Sequence, residues 1–578
     1  MIQDIYDPLT EYVDVFQGRF KEVAEETFAQ LAKEANVDVE SNRKTCQQIY
    51  STQEKSSNAS SSISRWTILC VVLWVCIAFA TIQAFTSYQS DRLTPTVGVP
   101  LLVAVVLILI LLFKKVHPRL RELKSQRSQL DSEVAQLKEK AWQQMAPLNR
   151  LYDWDVLTRM MTKTVPRLEF DPYFTTQRLA DLKAVYDWDD SFNEERSVIY
   201  SHSGLINGNP FVICRTRKME WGEKQYTGTK TIYWTERQLG PDGKYYTVQR
   251  SQTLTAYVTA PYPLYYEKTR LIYGNTAAPD LIFNRWQSGM ADKEGSLSYK
   301  WEKRSLRKKA RDLDGNDFAM MSNEDFEVAF NTSDRNNNQQ FALLFTPLAQ
   351  ESMLKLLKDH TAGYGDDFAF LKHKMINTII PDHLQRMSLD MNPRQYRHFD
   401  YDKAQQAFYD INANCFRAVY FSLAPLLCVP MYQQIRSQQD IYGRDMKRES
   451  AFWEHEALAN FWGQDHFKDP DCVTSCILKT KQTKREDGSS TIEVSAHGYC
   501  TEERVSYVGV WGGDGHRHQV PVYWDEYLPV TGVGYIDMKE DNTEDMTLSQ
   551  TQRLDHISEI LDSTHLNTYR HHIASKLQ

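Results

Sequence analysis

Three thiols and an imidazole, Cys472, Cys476, His497 and Cys500, could do the most specific chemistry in this sequence, because thiolate and imidazole are the ligands of tetrahedral zinc. A β-hairpin between Cys476 and His497 would bring the two pairs together. Three residues separate the cysteines and two separate His497 from Cys500. These spacings match common zinc knuckles only in part, so four unligated side chains are the favoured alternative. Zinc is the one cofactor the set implies. His516 and His518 alternate onto one face beside a glycine turn, and an exposed hairpin end is favoured there over a metal site.

A second group is basic: Lys300, Lys303, Arg304, Arg307, Lys308, Lys309 and Arg311. Such a cluster could lie against anionic lipid, each nearby charge contributing about 1 kcal/mol. The equal competitor is a solvated helical face neutralised by the acidic run that begins at Asp312. RNA is weaker, since aromatic interleaving is limited to Tyr299 and Trp301. No Walker loop, complete GxGxxG, GxSxG, HExxH or CxxC occurs, so no catalytic residue is assigned. His455-Glu456 lacks the second histidine of a zincin. The stretch from Asp312 to Asp317 resembles a calcium loop in composition, but its misplaced glycine predicts a turn.

The elements that must position these groups begin with two uncharged apolar runs, 66–85 and 97–113, each close to the ~20 residues that cross a hydrocarbon core. A pair of buried core helices is the rejected alternative. Lys114, Lys115, Arg119, Arg121, Lys124 and Arg127 follow the second run, and Lys55 and Arg65 precede the first. By the positive-inside rule the expected topology has spans at 65–86 and 96–113, an external loop at 87–95 and both termini cytoplasmic at an inner membrane. Cys76, Ala80 and Ala84 form a small-residue face expected to pack on the second span.

Val116, Leu120, Leu123, Leu130, Val134, Leu137 and Ala141 recur at heptad spacing and predict a coiled-coil-like stalk over 114–150. Phe16, Phe20, Val23, Phe28, Leu31 and Ala35 mark an amphipathic arm within 1–64, expected to pair antiparallel with that stalk. Dimerisation of either arm is left open. The serine-rich residues 56–64 read as a flexible joint.

Strand patterns then flank turns at 240–243, 486–488 and 512–515, with further strands expected over 253–259 and 264–272. Thr346 and Pro347 begin a helix. The apolar run 419–432, interrupted by Pro425 and Pro430, reads as a core segment, and Leu554, Ile557, Ile560 and Leu561 mark a final helix. The fold class expected is α+β, with mostly antiparallel sheets in modules 151–392 and 393–578.

Composition limits the partners. A net charge of -8 over 578 residues argues against a dedicated nucleic-acid binder. Nine cysteines, odd in number and irregularly spaced, fit a reducing compartment. The start of the chain is acidic and aromatic, so no cleavable signal peptide is expected.

The segment 204–211, from Gly204 to Phe211, and the run from Phe326, Glu327 and Val328 through Asp334 to Leu344, Phe345, Thr346, Pro347 and Met353 resemble a bacterial domain-of-unknown-function family. Its members pair an N-terminal two-span hairpin with a cytosolic α+β domain. The resemblance covers the hairpin through Asp359 and implies that architecture, with no catalytic residues to transfer. The expected function is a membrane-anchored cytosolic scaffold or binding module, non-catalytic, with the bilayer and a protein partner or homo-oligomer as partners. The alternatives are a metal-dependent or scattered-site enzyme and an oligomeric pore.

Overall fold

The computed structural model describes residues 4–89, 95–239, 241, 243–311, 318–437, 449–540, 568–570 and 572–578, with the side chains of 84–101, 192, 568 and 569 outside the description. The expected calcium-like turn at Asp312 and the final helix at Leu554 lie outside the described residues. Two compact units divide the chain, 25–152 with 393–410, and 1–24 with 153–392 and 411–578. Most of the two expected modules therefore shares one unit.

After a short helical segment at Pro8–Glu11 come helices α1 (Gln17–Ala35), α2 (Val39–Gln89), α3 (Pro95–Leu111) and α4 (His117–Leu151). α4 runs antiparallel to α2: Ile77 clusters with Leu112 and Val116, Ser56 Oγ donates to Asp131 Oδ1 at 2.6 Å, and Ile49 meets Val134 and Ala141. The heptad positions Val116, Leu120, Leu123, Val134 and Ala141 are buried as their spacing predicts.

Two expectations about this region are corrected. The serine-rich stretch 56–64 is helical throughout, one part of the unbroken α2. Packing explains this, because Ile49 before it clusters with Val134 and Ala141, Ser56 bonds to Asp131, and Ile63 within it and Trp66 after it cluster with Val116 and Leu120, which overrides the weak helix propensity of serine. The partner of the stalk is also the first half of α2, rather than the arm around Phe16 to Ala35.

In the second unit a seven-stranded sheet has the order β1-β2-β3-β4-β7-β6-β5. Its strands are β1 (Leu168–Phe170), β2 (Arg196–Ile206), β3 (Asn209–Leu239), β4 (Tyr245–Gly274), β5 (Ile282–Arg285), β6 (Phe368–His373) and β7 (Ile376–Pro381). Helices α5 (Leu297–Arg311), α6 (Glu324–Phe330) and α7 (Pro347–Lys358) lie between β5 and β6 in the chain. Then follow α8 (Tyr401–Leu427), α9 (Phe452–Trp462) and a five-stranded sheet of order β11-β12-β10-β9-β8. Those strands are β8 (Ile477–Lys484), β9 (Ser490–Trp511), β10 (Arg517–Glu540), β11 (Thr568–Arg570) and β12 (Ile573–Leu577). Every pairing is antiparallel, and the protein is α+β.

The arm helix α1 uses its aromatic face on α8. Phe20 stacks on Phe416 at 4.2 Å, while Phe28 meets Tyr401, Phe408 and Tyr409 at 5.4 to 5.8 Å. The run 419–432 is core, as its prolines predict, with Val419, Phe421, Leu423 and Leu426 buried and Pro425 held inside α8.

The segments that carry the family resemblance do structural work. Asn207 and Gly208, at φ 52° and 75°, form the two-residue turn between β2 and β3, whose twist requires positive φ. A Cβ on Gly204 would lie 2.0 Å from the Glu169 carbonyl oxygen of β1. Thr346 accepts from Ala349 N and caps α7, as expected.

The strands expected at 253–259 and 264–272 are one strand, β4. Its Pro261 and Pro263 are tolerated because β3 is its sole strand neighbour there, leaving an edge that needs no donor. Pairing of β3 with β2 ends at Lys218 and pairing of β4 with β7 begins at Leu271. The remainder is a two-stranded ribbon of about 20 residues per strand, or ~70 Å. Beyond β8, strands β9 and β10 form a second ribbon. The two stack through Ile232, Leu254 and Ala256 against Val520 and Val522.

Candidate functional site

Cys472 and Cys476 converge, with sulfurs 3.6 Å apart in a buried cluster that includes Leu478, Val494 and Ala496. They lie over Gly498 of β9, where a Cβ would sit 2.5 Å from Cys472 Sγ. Burial, with the neighbouring Cys472 thiol, pushes Cys476 up to about 12, so it is a protonated thiol at neutral pH. His497 does not join them. It is exposed, and its Nδ1 lies 3.0 Å from Thr531 Oγ1. Ile492, Val494 and Ala496 point into the core, so strand alternation turns His497 to the other face. Cys500 is half-buried, and among the described residues no group of three His, Cys, Asp or Glu side chains could hold a metal. The zinc set is therefore a thiol pair with two separated residues. His518 pairs with Asp514 at 2.8 Å and His516 is exposed, a polar hairpin end.

Two histidine arrangements have partners that lie far apart in the chain, so the sequence showed one not at all and the other only as the incomplete pair His455-Glu456. His383 Nδ1 faces Asp367 at 3.0 Å, and its Nε2 lies 2.9 Å from the Ala418 carbonyl and 3.2 Å from Ser422 Oγ. The order carboxylate, imidazole, hydroxyl is that of a hydrolase, but the protons run elsewhere. Ser422 is fully buried and donates to Ala418 O of its own helix at 2.7 Å. A carbonyl facing Nε2 requires a proton on that nitrogen, which leaves it no lone pair to act as base. Tyr364 stacks on the imidazole at 3.9 Å, and the group pins α8 to the loop before β6.

On α9, Glu454, His455 and Glu456 are all buried. Glu456 accepts from Lys479 at 2.8 Å and from Val198 N at 3.0 Å, and burial holds it up at about 6. His455 is pushed down to about 4 by burial and shares 2.9 Å with Ser450 Oγ, which donates to Glu540 at 2.5 Å. With its hydroxyl hydrogen directed at Glu540, Ser450 Oγ accepts from a neutral His455. These contacts join α9 to β2, β8 and β10.

Lys372 is buried, meets no carboxylate among the described residues, and donates to the carbonyls of Ala277 at 3.1 Å and Lys374 at 2.6 Å. Burial lowers it from 10.5 to about 7. Between those values the unfolded chain holds the proton more tightly, so stability rises with pH across that window. Lys372→Met is expected to flatten this rise, by an amount of order a few kcal/mol. Unfolding midpoints measured from pH 7 to 10 check it, and a slope equal to that of the parent would refute it.

The basic cluster forms α5, and its cations divide. Lys303 pairs with Glu324 and Asp325, Arg307 pairs with Glu324 at 2.5 Å, and Lys309 donates to Ser333 at 2.9 Å. The neutralising acids thus stand on α6, whereas the run at Asp312 lies outside the described residues. Lys300, Arg304, Lys308 and Arg311 are exposed.

In the small-residue face expected on α2, Cys76 is exposed, Ala80 is half-buried and the side chain of Ala84 is outside the description. Among the described side chains, Ile63, Trp66, Cys70, Leu73 and Ile77 cluster with Val105, Ile108 and Leu109 of α3. Among the described residues one helix, Val39–Gln83, is long and apolar enough to cross a membrane. The run at 97–113 is helical through α3, with part of its side chains outside the description. Comparison with family models, curated proteins and solved structures found no match to this chain.

Proposed function

We propose that the chain is a membrane-anchored, non-catalytic binding module, tethered to a bacterial inner membrane by α2 and α3 as a two-span hairpin with both termini cytoplasmic. The observation that carries this is apolar surface on the outside of an already filled seam. Ile68, Val71, Val75, Phe79 and Ile82 of α2 are 56–64% exposed, and Leu102, Leu107 and Ile110 of α3 are 48–66% exposed. A helix apolar on every side favours hydrocarbon over water.

The stacked ribbons supply the binding surface in this reading. Trp221, Tyr233 and Tyr257 on the first, and Tyr507, Trp511 and Tyr523 on the second, are 52–78% exposed. Tyrosine and tryptophan are enriched in protein interfaces because they bring large rigid area with a polar tip. The buried hydroxyl and imidazole pairs described above support the non-catalytic part, since their protons are committed to structural acceptors.

The test is photo-crosslinking in native membranes from a photoreactive residue at Tyr233 or Tyr507, with alkaline carbonate extraction of the same membranes. Retention in the membrane and crosslinks to a second protein are expected. Release by carbonate would refute the anchor, and crosslinks solely to other copies of the chain would replace the partner by a homo-oligomer.

A further inference from the structure

Helix α5 has two chemically distinct sides. Tyr299 and Leu306 are buried and Ala310 is half-buried, packed with Phe318 and Val328. At about 100° per residue, Leu297, Lys300, Trp301, Arg304, Lys308 and Arg311 fall within an arc of about 100° on the opposite side. All six are exposed, Leu297 at 85% and Trp301 at 73%. The arc holds four cations and no acid. Glu302, the sole acid of the helix, lies about 100° outside it.

Acids on neighbouring elements are engaged elsewhere. Glu324 and Asp325 hold Lys303 and Arg307, Glu294 holds Lys358, and Asp292 holds His360. Asp312, Asp314 and Asp317 follow in the sequence, outside the described residues.

We propose that this face of α5 docks on an anionic phospholipid surface. Lys300, Arg304, Lys308 and Arg311 meet lipid phosphates, while Leu297 and Trp301 enter the boundary between headgroups and acyl chains. Charge complementarity selects the occupant, because four cations that pair with no acid among the described residues share one arc and match a negatively charged leaflet. The two large apolar side chains among them select a surface with an apolar layer beneath its phosphates. Tryptophan sits preferentially at that depth, and the long stems of lysine and arginine lie along apolar surface with their charges in the headgroups. The proposal rests on the membrane-anchored reading, under which the tether holds this face at high effective concentration near lipid.

The experiment uses the full chain in nanodiscs of phosphatidylcholine alone or mixed with phosphatidylglycerol, read by hydrogen–deuterium exchange over 297–311. Exchange about tenfold slower or more in the anionic discs is expected, with no difference in the buried segment 326–330. The triple variant K300E/R304E/K308E should lose the difference, and W301A should reduce it. Equal exchange in both discs would overturn the proposal, as would stronger protection by poly-uridine or polyglutamate than by anionic lipid. A chain that fails to enter discs refutes the anchor separately. Its lipid face is then read by flotation with liposomes of the same two compositions, where selective binding to the anionic ones supports the proposal and equal or absent binding overturns it.

Discussion

Arg335→Ala is expected to destabilise the packing of α6 against its neighbours by about 3–5 kcal/mol, because it strands a carboxylate in the core. Arg335 and Glu327 have side chains 0% and 1% exposed and share two hydrogen bonds of 2.7 and 2.9 Å. The guanidinium also donates to Asn338 and the Ala319 carbonyl, and lies 4.6 Å from the Phe318 ring and 4.1 Å from that of Phe341. Lysine cannot supply this planar fork, so Arg335→Lys should recover little. The paired change E327Q/R335M should recover much of the loss, since it removes both charges. Amide exchange over 318–345 in the full chain reads this locally, which avoids assuming one global transition for two units. Parent-like exchange in Arg335→Ala would show that the pair contributes nothing net.

Gly228→Ala is expected to part the two ribbons without unfolding the sheets from which they grow. A Cβ there would lie 2.1 Å from the Pro521 carbonyl oxygen and 2.9 Å from Val522 Cα, and backbone cannot rotate aside as a side chain can. Overpacking of this kind costs about 1–3 kcal/mol, or about ten- to hundredfold faster exchange in 226–234, 252–258 and 508–522. Gly222→Ala is the control: its Cβ would meet the end of the Leu264 side chain, which can swing away. Unchanged exchange in Gly228→Ala, or equal effects of the two substitutions, would refute the stacked arrangement.

Much of the local structure was legible because it depends on near neighbours. The heptad of α4, the Thr346 cap and the glycine turns at 486–488 and 512–515 declare themselves within a few residues. What failed depended on distant partners. The serine-rich stretch looked loose because the helix through it is held by partners such as Asp131, which accepts from Ser56 across 75 residues of chain. That the four candidate zinc ligands do not meet could be read locally, since the apolar alternation Ile492, Val494, Ala496 sends His497 outward. The basic cluster was visible as a run, but the acids that pair with Lys303 and Arg307 stand on α6, beyond the reach of a local pattern. Asp367, His383 and Ser422 meet across 55 residues with no local pattern to announce them.

The unbroken helix α2 also has a mechanical consequence. At ~1.5 Å per residue its 51 residues make a shaft of about 75 Å. Near one end lies the apolar run. Near the other, Asn42 is buried, its amide donating to Phe399 O at 2.9 Å and accepting from Tyr401 N at 3.0 Å. With no swivel at the serines, a twist or tilt of the apolar run reaches Asn42 as a rotation of the same body, so α2 transmits torque where a flexible joint would have dissipated it.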